Sequence, residues 1–266
     1  MSAPRTCARP SAERARAEGE GLDTCAIILA GGTGERFGDP RGKQFAELCG
    51  LPIMSWSVMA FDRAPSVSSI VIVCAPDKVS VVQQEVLSRL TLAKPVGFAP
   101  SGATRQDSVY SGLQAVPRDA TLVAVHDSAR PLIEVDSIER CCATVRADAS
   151  LAGAICANRS VDTLKLVEGN KIVATPNREF YWVAQTPQVF YAKPLMAAYK
   201  AALWEGFAGT DDASLVERHG GTVECVECPR DNIKVTVPED LAVATATMEQ
   251  RLVEEGCGRR YGRDPQ

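Results

Sequence analysis

The chain has 266 residues, 45% of them apolar, with a formal net charge of −4 and an isoelectric point of about 5.4. This length suits one domain with an ample core, and the acidic balance argues against a general nucleic-acid binder, which normally carries a basic face. No apolar run approaches the ~20 residues that a membrane-spanning helix needs. We interpret the ten cysteines as buried thiols in a reducing compartment, so we expect a cytoplasmic protein. Together with the charge and the lack of a long apolar run, this predicts no membrane or nucleic-acid partner.

The two ends of the chain differ from its middle. Residues 1–23 are rich in Ala, Arg and Glu and lack the apolar stretch of a signal peptide, so we interpret them as a disordered extension. Residues 256–266 are predicted to be a flexible tail. A single domain is therefore expected over residues 24–255.

From residue 24 onward, buried strands alternate with helices. Apolar runs predict the strands at 25–30 (CAIILA), 69–75, 96–99, 121–126 and 151–157. Helical patterns begin at Pro52 and cover 78–90, 104–116 and 135–147, followed later by helices at 192–204, 211–219 and 239–252 and a strand at 222–227. This alternation predicts a doubly wound α/β fold with a mostly parallel, Rossmann-like sheet and right-handed crossovers.

The alternation breaks at residues 160–184. Short alternating stretches at 162–167 and 171–174 surround a turn at 168–170 (EGN), which is a hairpin pattern rather than another strand–helix–strand unit. We expect this β-hairpin to project from the sheet and to serve as a dimerisation arm.

A glycine-rich loop, residues 31–44 (GGTGERFGDPRGKQ), follows the first strand. Its backbone amides can close around an anion at the carboxyl ends of the strands, where open α/β sheets bind ligands. Phe37 stands where a dinucleotide fingerprint has its third glycine and where a Walker A loop has its first, and Gln44 follows Lys43 where Walker A has Ser or Thr. Both motifs, and with them a nicotinamide dehydrogenase, are excluded.

The cations of this loop suit transfer at phosphorus. Arg36 and Lys43 would offset the charge that grows on the equatorial oxygens in the transition state. From the loop alone, a solvated surface loop is an equally good interpretation.

Histidine and cysteine chemistry receive less support. The chain has two histidines, His126 and His219, so a His-dependent triad or metal site is hard to build. Cys225 and Cys228 form a C-x-x-C without a second Cys or His pair at zinc-finger spacing, and the alternation around them predicts a strand. Zinc at this motif is therefore not favoured.

Six further segments of the sequence help to interpret the glycine loop. In chain order they are GATRQDSV (102–109), VHDSARP (125–131), DTLK (162–165), WVAQTPQVF (182–190), TDDAS (210–214) and DNIKVT (231–236). Together with the glycine loop, this ordered set closely resembles the 2-C-methyl-D-erythritol 4-phosphate cytidylyltransferase family of non-mevalonate isoprenoid synthesis. The resemblance covers about residues 24–252.

The resemblance implies transfer of CMP from CTP to 2-C-methyl-D-erythritol 4-phosphate with release of pyrophosphate. The implied catalytic residues are Arg36 and Lys43 at the α-phosphate and Arg178 and Lys234 at the attacking phosphate. The implied nucleotide-binding residues are Ala30, Gly31, Gly32, Gly102, Arg105, Ser108, Asp127 and Ser128. The implied acceptor-binding residues are Arg130, Thr163 and Thr186. Since the nucleophile is already a phosphate anion, no general base is needed, which fits the scarcity of histidine.

The family also implies Mg²⁺, which would bridge the triphosphate oxygens of CTP; the sequence identifies no protein ligand for it. It further implies a homodimer in which the arm carries Thr163 and Arg178 into the partner's site.

Two alternatives remain at this point. Ribitol 5-phosphate cytidylyltransferase shares the glycine loop and a similar H-D-S-x-R-P segment, although the segments at 105–109, 162–165 and 210–214 look more like the methylerythritol enzyme. A non-catalytic nucleotide-binding protein is the second alternative, and the cations Arg36, Lys43 and Lys234 argue against it because a binder has less need of them.

Overall fold

The computed structural model of the chain describes residues 21–32, 37, 42–254 and 256. A seven-stranded sheet in the order β11-β7-β10-β6-β1-β4-β5 organises them. The strands are β1 (Thr24–Leu29), β2 (Glu47–Leu48), β3 (Leu51–Pro52), β4 (Val67–Cys74), β5 (Val96–Pro100), β6 (Leu122–Asp127), β7 (Leu151–Arg159), β8 (Leu166–Glu168), β9 (Lys171–Ala174), β10 (Trp182–Tyr191) and β11 (Thr222–Glu227). β2 and β3 form a small antiparallel pair of their own.

The helices lie on both faces of this sheet. They are α1 (Ile53–Arg63), α2 (Val79–Val81), α3 (Arg105–Gln114), α4 (Val135–Ala147), α5 (Ala192–Glu205), α6 (Asp212–Arg218) and α7 (Pro238–Glu254). Successive residues of β1 point to opposite faces, as in any strand: Ala26 and Ile28 pack in the cluster that includes residues of α1 and α4, and Cys25 and Ile27 in the cluster that includes α3, α5 and α6. The doubly wound α/β fold is confirmed.

One strand of the large sheet runs against the others. β10 pairs antiparallel with both β6 and β7, whereas β1 pairs parallel with β4 and β6, and β7 pairs parallel with β11. The sequence pattern does not reveal β10, because Gln185, Pro187 and Gln188 interrupt its apolar run. Hydrogen bonds allow Gln188 to be buried in this strand: its side chain donates to Asp211 at 2.7 Å and accepts from the backbone of Ala213 at 3.0 Å.

The helix predicted at 78–90 is irregular. A 3₁₀ turn (Pro76–Lys78) leads into α2, a π-helical stretch (Val82–Val86) follows, and a second 3₁₀ turn (Leu87–Arg89) ends the segment. Val82 and Val86 are the residues that it buries against the sheet.

The hairpin region is separate from the large sheet. β8 and β9 pair antiparallel with each other, all seven of their residues are exposed, and Gly169 in the turn has φ 59°. Such a positive φ favours glycine. The function of the hairpin as an arm between subunits stays a prediction.

The predicted extension and tail fall largely outside the described residues, which begin at 21 and, apart from 256, end at 254. Asp23 is attached to the domain, because its carbonyl accepts from the backbone of Thr121 at 2.9 Å and its carboxylate pairs with Arg146 at 2.5 Å. Within the described part, no helix combines the length and the apolar character that crossing a membrane requires.

Candidate active site

A cavity of about 350 Å³ opens where β1 and β6 end, at the point of the sheet where the chain order reverses. This topological switch point is the usual ligand site of an open α/β sheet. Ten of the predicted site residues line the cavity: Ala30, Gly31, Gly32, Lys43, Gly102, Arg105, Ser108, Asp127, Ser128 and Lys234. The structure thus brings together residues from four separate segments that the sequence predicted to form the site.

The backbone around Gly31 forms one wall. The amide of Ala30 donates to the carbonyl of Val73 at 2.8 Å, and the amide of Ser101 donates to the carbonyl of Cys74 at 2.9 Å, so the loops after β1 and β5 both lie against the end of β4, the strand between them. A Cβ on Gly31 would lie 2.5 Å from the Cβ of Ser101. Glycine is therefore required here by the close approach of the two loops.

The N-terminus of α3 forms the next wall. Thr104 caps the helix: its hydroxyl accepts from the amide of Asp107 at 3.0 Å, and the carboxylate of Asp107 accepts from the amide of Thr104 at 3.0 Å. Ser108 donates to the carbonyl of Thr104 at 2.9 Å and accepts from the amide of Gly102 at 3.0 Å. Ser108 therefore holds the Gly102 loop against α3, and the positive end of the helix lies beside the cavity.

A nearly buried carboxylate, that of Asp127 at the end of β6, lies among cations. Its Oδ2 is 2.7 Å from the ammonium of Lys234, and its Oδ1 is 3.4 Å from Nε of Arg105. Burial by itself would raise the pKa of Asp127, but the charges of Arg105 and Lys234 outweigh burial and hold that pKa well below its usual range. Asp127 is therefore a permanent anion that positions two cations at the cavity.

A second, fully buried carboxylate positions the same guanidinium from behind. Asp212 accepts from Nη1 and Nη2 of Arg105 at 3.2 and 2.8 Å, and it also accepts from the hydroxyl of Tyr199. Burial, reinforced by this carboxylate, raises the pKa of Tyr199, so its hydroxyl stays a donor. The predicted residue set omits Asp212, although the segment TDDAS that contains it was singled out.

A hydrogen-bond chain fixes the turn after β6. His126 is fully buried, and burial lowers its pKa to about 3. A neutral ring donates from one nitrogen only: Nε2 lies 3.2 Å from the carbonyl of Arg130 and must donate, so Nδ1 accepts from the hydroxyl of Thr186 at 3.0 Å. The oxygen of Thr186 in turn accepts from the amide of Asp127 at 3.1 Å. The chain orients the backbone that carries Asp127.

The segment that carries Lys234 is anchored on both sides. The side-chain amide of Asn232 donates to the carbonyl of Thr186 at 2.9 Å, and Arg130 donates to the carbonyl of Asn232 at 2.8 Å. The amide of Val235 donates to the carbonyl of Ala129 at 2.8 Å. These bonds keep Lys234 opposite Asp127 without a helix or strand at that position. Asn232 is a positioning residue that the predicted set lacks.

The other predicted residues lie elsewhere. Arg130 and Thr186 are not among the residues that line the cavity and hold the loops described above. Arg178 and Thr163 lie exposed in the hairpin region and do not line the cavity, and Arg178 donates to the carbonyl of Val161. Arg36 falls outside the described residues. Gln44, which the predicted set lacks, is buried and donates to the carbonyl of Ala30 at 3.1 Å.

Comparison with known sequences identifies the family. Residues 24–250 match the family model of 2-C-methyl-D-erythritol 4-phosphate cytidylyltransferase. Among curated relatives that carry this name, the protein of Caldanaerobacter subterraneus is 38% identical over 84% of this chain and 97% of its own length. That of Prochlorococcus marinus is 41% identical over 85% and 98%.

Solved structures agree. A crystal structure of 4-diphosphocytidyl-2C-methyl-D-erythritol synthase from Anaerococcus prevotii superimposes with a TM-score of 0.75 at 26% identity, covering 85% of this chain and 96% of that one. The 2-C-methyl-D-erythritol 4-phosphate cytidylyltransferase of Francisella tularensis gives a TM-score of 0.70 at 30% identity, covering 84% and 99%. The chain belongs to the 2-C-methyl-D-erythritol 4-phosphate cytidylyltransferase family of nucleotidyltransferases.

Proposed function

We propose that the cavity binds CTP and transfers CMP to 2-C-methyl-D-erythritol 4-phosphate, giving 4-diphosphocytidyl-2-C-methyl-D-erythritol and pyrophosphate. One observation carries the proposal: four separate segments, which contribute Lys43 of the glycine loop, Arg105, Asp127 and Lys234, converge on one cavity at the switch point of the sheet. Among the described residues that line it, the three cations outnumber the one carboxylate, Asp127, so this part of the cavity favours an anionic ligand.

In this reaction, a phosphate oxygen of the acceptor attacks the α-phosphorus of CTP, and the bond from that phosphorus to the bridging oxygen of pyrophosphate breaks. Negative charge grows on the equatorial oxygens. Lys43 borders the cavity next to the glycine loop, and Lys234 borders it from the opposite segment. We assign Lys43, with Arg36, to the α-phosphate and Lys234, with Arg178, to the attacking phosphate. The ion pair with Asp127 holds Lys234 at the cavity in advance of the reaction.

The acceptor side includes a donor that the fold leaves available. Nε of Arg130 is buried and has no hydrogen-bond partner among the described residues, whereas its Nη1 is fixed on Asn232. A phosphate oxygen of the acceptor would satisfy this donor at low cost, because the guanidinium is already oriented. Thr186 and Thr163 complete the proposed acceptor site.

Mg²⁺ fits the cavity as a companion of CTP. Magnesium usually keeps several waters and binds through one or two carboxylates plus substrate phosphates, and the described lining offers one carboxylate, Asp127, which already pairs with two cations. We therefore propose that the triphosphate holds the ion, whose charge would offset that of the leaving pyrophosphate.

A homodimer through the hairpin is part of the proposal. The hairpin and its neighbours expose large apolar side chains: Leu166 (57%), Ile172 (63%), Val173 (53%), Phe180 (80%) and Val183 (56%). Large apolar side chains exposed together in one segment suit a protein interface. A partner there would bring Arg178 and Thr163 toward a second cavity. The unpaired state of the cysteines in the described part agrees with the cytoplasm as the proposed location.

The proposed function is tested by pyrophosphate release. Purified protein is mixed with CTP and Mg²⁺ and supplied with either methylerythritol phosphate or ribitol 5-phosphate, with ATP replacing CTP as the nucleotide control. We expect release with methylerythritol phosphate and CTP. Pyrophosphate release with ribitol 5-phosphate alone would assign that acceptor to the cavity instead. No release with either acceptor would refute the proposed reaction.

A further inference from the structure

Three cysteine side chains from separate segments meet in the core, away from the active-site cavity. Cys141 belongs to α4, Cys156 to β7, and Cys228 follows β11 directly. Their three sulfur atoms all lie within 4.8 Å of one another, and those of Cys141 and Cys156 are 3.6 Å apart. All three residues are buried. We refer to them as the three-sulfur cluster.

The spacing suits coordination of a metal ion. Sulfur ligands of tetrahedral zinc lie about 2.3 Å from the metal and hence about 3.8 Å from one another. The sulfur atoms of Cys141 and Cys156 are already near that separation, and none of the three exceeds it by more than about 1 Å. A side-chain rotation at one residue would close the remaining gap.

The backbone holds the three segments in this arrangement. The amide of Cys228 donates to the carbonyl of Ala157 at 3.0 Å, and Val226 is paired with Cys156 in the parallel ladder of β11 and β7. Cys141 packs in the same hydrophobic cluster as Cys156, Val226 and Cys228. A preformed set of ligands loses little conformational freedom on binding an ion.

An oxygen atom that can serve as the fourth ligand lies beside the three-sulfur cluster. Ser137 lies four residues before Cys141 on the same helix and is fully buried, and its hydroxyl makes no well-formed hydrogen bond within the described part. The hydroxyl of Ser137 lies close to the sulfur of Cys228. Sulfur is a weak acceptor, so this buried hydroxyl is poorly satisfied, and an ion at the cluster would provide a better partner.

The charges also fit. Three thiolates and a divalent ion leave one net negative charge. The guanidinium of Arg140 donates to the carbonyl of Glu227 at 2.8 Å, directly before Cys228, and also pairs with the carboxylate of Asp136 at 2.8 Å. A divalent ion therefore offsets two of the three thiolate charges, which burial would otherwise oppose.

We propose that Cys141, Cys156 and Cys228 bind one thiophilic divalent cation of the zinc class, with the hydroxyl of Ser137 or a water as fourth ligand. The alternative is three thiols that pack as small apolar side chains. Cys228 opens the segment 228–237, which contains Asn232 and Lys234 and has no helix or strand. A bound ion would tie the beginning of that segment to α4 and β7.

Cobalt is a suitable probe, because Co²⁺ bound to thiolate gives an intense charge-transfer absorption that Co²⁺ on oxygen ligands lacks. The full-length protein is reduced, freed of metal and titrated with Co²⁺ under anaerobic conditions without nucleotide. We expect one equivalent per chain with this absorption, reversed by addition of Zn²⁺. For protein loaded with ¹¹³Cd²⁺, the NMR shift should report three sulfur ligands.

The C-x-x-C pair provides matched variants. Cys228→Ser should weaken Co²⁺ binding at least ~10-fold, whereas Cys225→Ser, an exposed position outside the cluster, should leave it unchanged. Equal losses in both variants would overturn the proposal. If Cys228→Ser does not fold, the wild-type spectra decide: a protein that shows neither the charge-transfer absorption nor the ¹¹³Cd shift has no such site. A disulfide between Cys141 and Cys156 in the protein as purified would also overturn it.

Discussion

The ammonium of Lys234 lies 2.7 Å from Oδ2 of Asp127, although the two residues are far apart in the sequence. Asp127 faces Arg105 on its other oxygen at 3.4 Å. The carboxylate thus holds two cations at the cavity. Because the side chain of Lys234 is 42% exposed, it can turn toward an incoming phosphate without a large desolvation cost.

Replacing Lys234 should affect the reaction and spare the fold. Lys234→Ala removes a half-exposed side chain whose backbone neighbours remain anchored, so we expect unchanged stability and a fall in kcat/KM of about 100-fold or more. Steady-state pyrophosphate release together with urea unfolding checks both. Lys200→Ala, on the exposed side of α5, is the control and should keep full activity. Comparable activity in the two variants would remove Lys234 from the mechanism.

Asp212 should contribute to both stability and nucleotide binding. Asp212→Asn leaves the guanidinium of Arg105 without its buried bidentate acceptor, and we expect a loss of about 3 kcal/mol in the free energy of unfolding. Since Arg105 borders the cavity, KM for CTP should rise as well. Urea unfolding and initial rates measure the two effects. Asp119→Asn, an exposed position, should change neither, and an unchanged KM in Asp212→Asn would show that Arg105 does not depend on this carboxylate.

The parts of the fold that sequence predicted well are those with continuous apolar runs. β1, β4, β6 and β7 are buried on both faces, and this requirement alone dictates their composition. The same reasoning does not predict β10, because its buried Gln188 is stabilised by hydrogen bonds to Asp211 and Ala213 rather than by apolar contacts. Such partners are distant in sequence, so composition gives no sign of them.

The same limit applies to the site. Gly31, Lys43 and Asp127 belong to segments with recognisable order, and the structure brings them to one cavity. The buried positioning residues, such as Asp212, act through a partner whose position only the fold determines. Cys228 shows this most clearly: its sequence neighbour Cys225 is exposed, whereas its sulfur neighbours are Cys141 and Cys156.

The two glycines of the first loop should respond differently to a methyl group. A Cβ on Gly31 would lie 2.5 Å from that of Ser101, whereas one on Gly32 meets nothing within 4 Å. We expect Gly31→Ala to lower the free energy of unfolding by about 1–3 kcal/mol through overpacking and Gly32→Ala to change it by about 0.5 kcal/mol or less. Urea unfolding of both variants compares them directly, and equal stabilities would contradict the close approach of the two loops.

The proposed dimer predicts complementation between inactive variants. If Arg178 acts in the partner's site, a heterodimer of Lys43→Ala and Arg178→Ala contains one site with both residues intact. Random exchange makes half of the dimers mixed, so activity should recover to about a quarter of that of the wild type. Pyrophosphate release after mixing, with mass spectrometry of differently tagged subunits to verify exchange, provides the measurement. No recovery despite verified exchange would contradict an arm that acts between subunits.

His126 should make the protein sensitive to mild acid. Burial lowers the pKa of His126 from 6.5 to about 3 in the folded protein, so between these values the unfolded chain binds a proton that the folded chain does not. Stability is therefore fully present above pH 6.5 and declines as pH falls, by up to about 1.4 kcal/mol per pH unit. Urea unfolding between pH 7.5 and about 4.5 measures this slope above the range in which Asp127 titrates. His126→Gln should flatten the slope and His219→Gln should keep it; an unchanged slope in His126→Gln would assign the acid sensitivity to other groups.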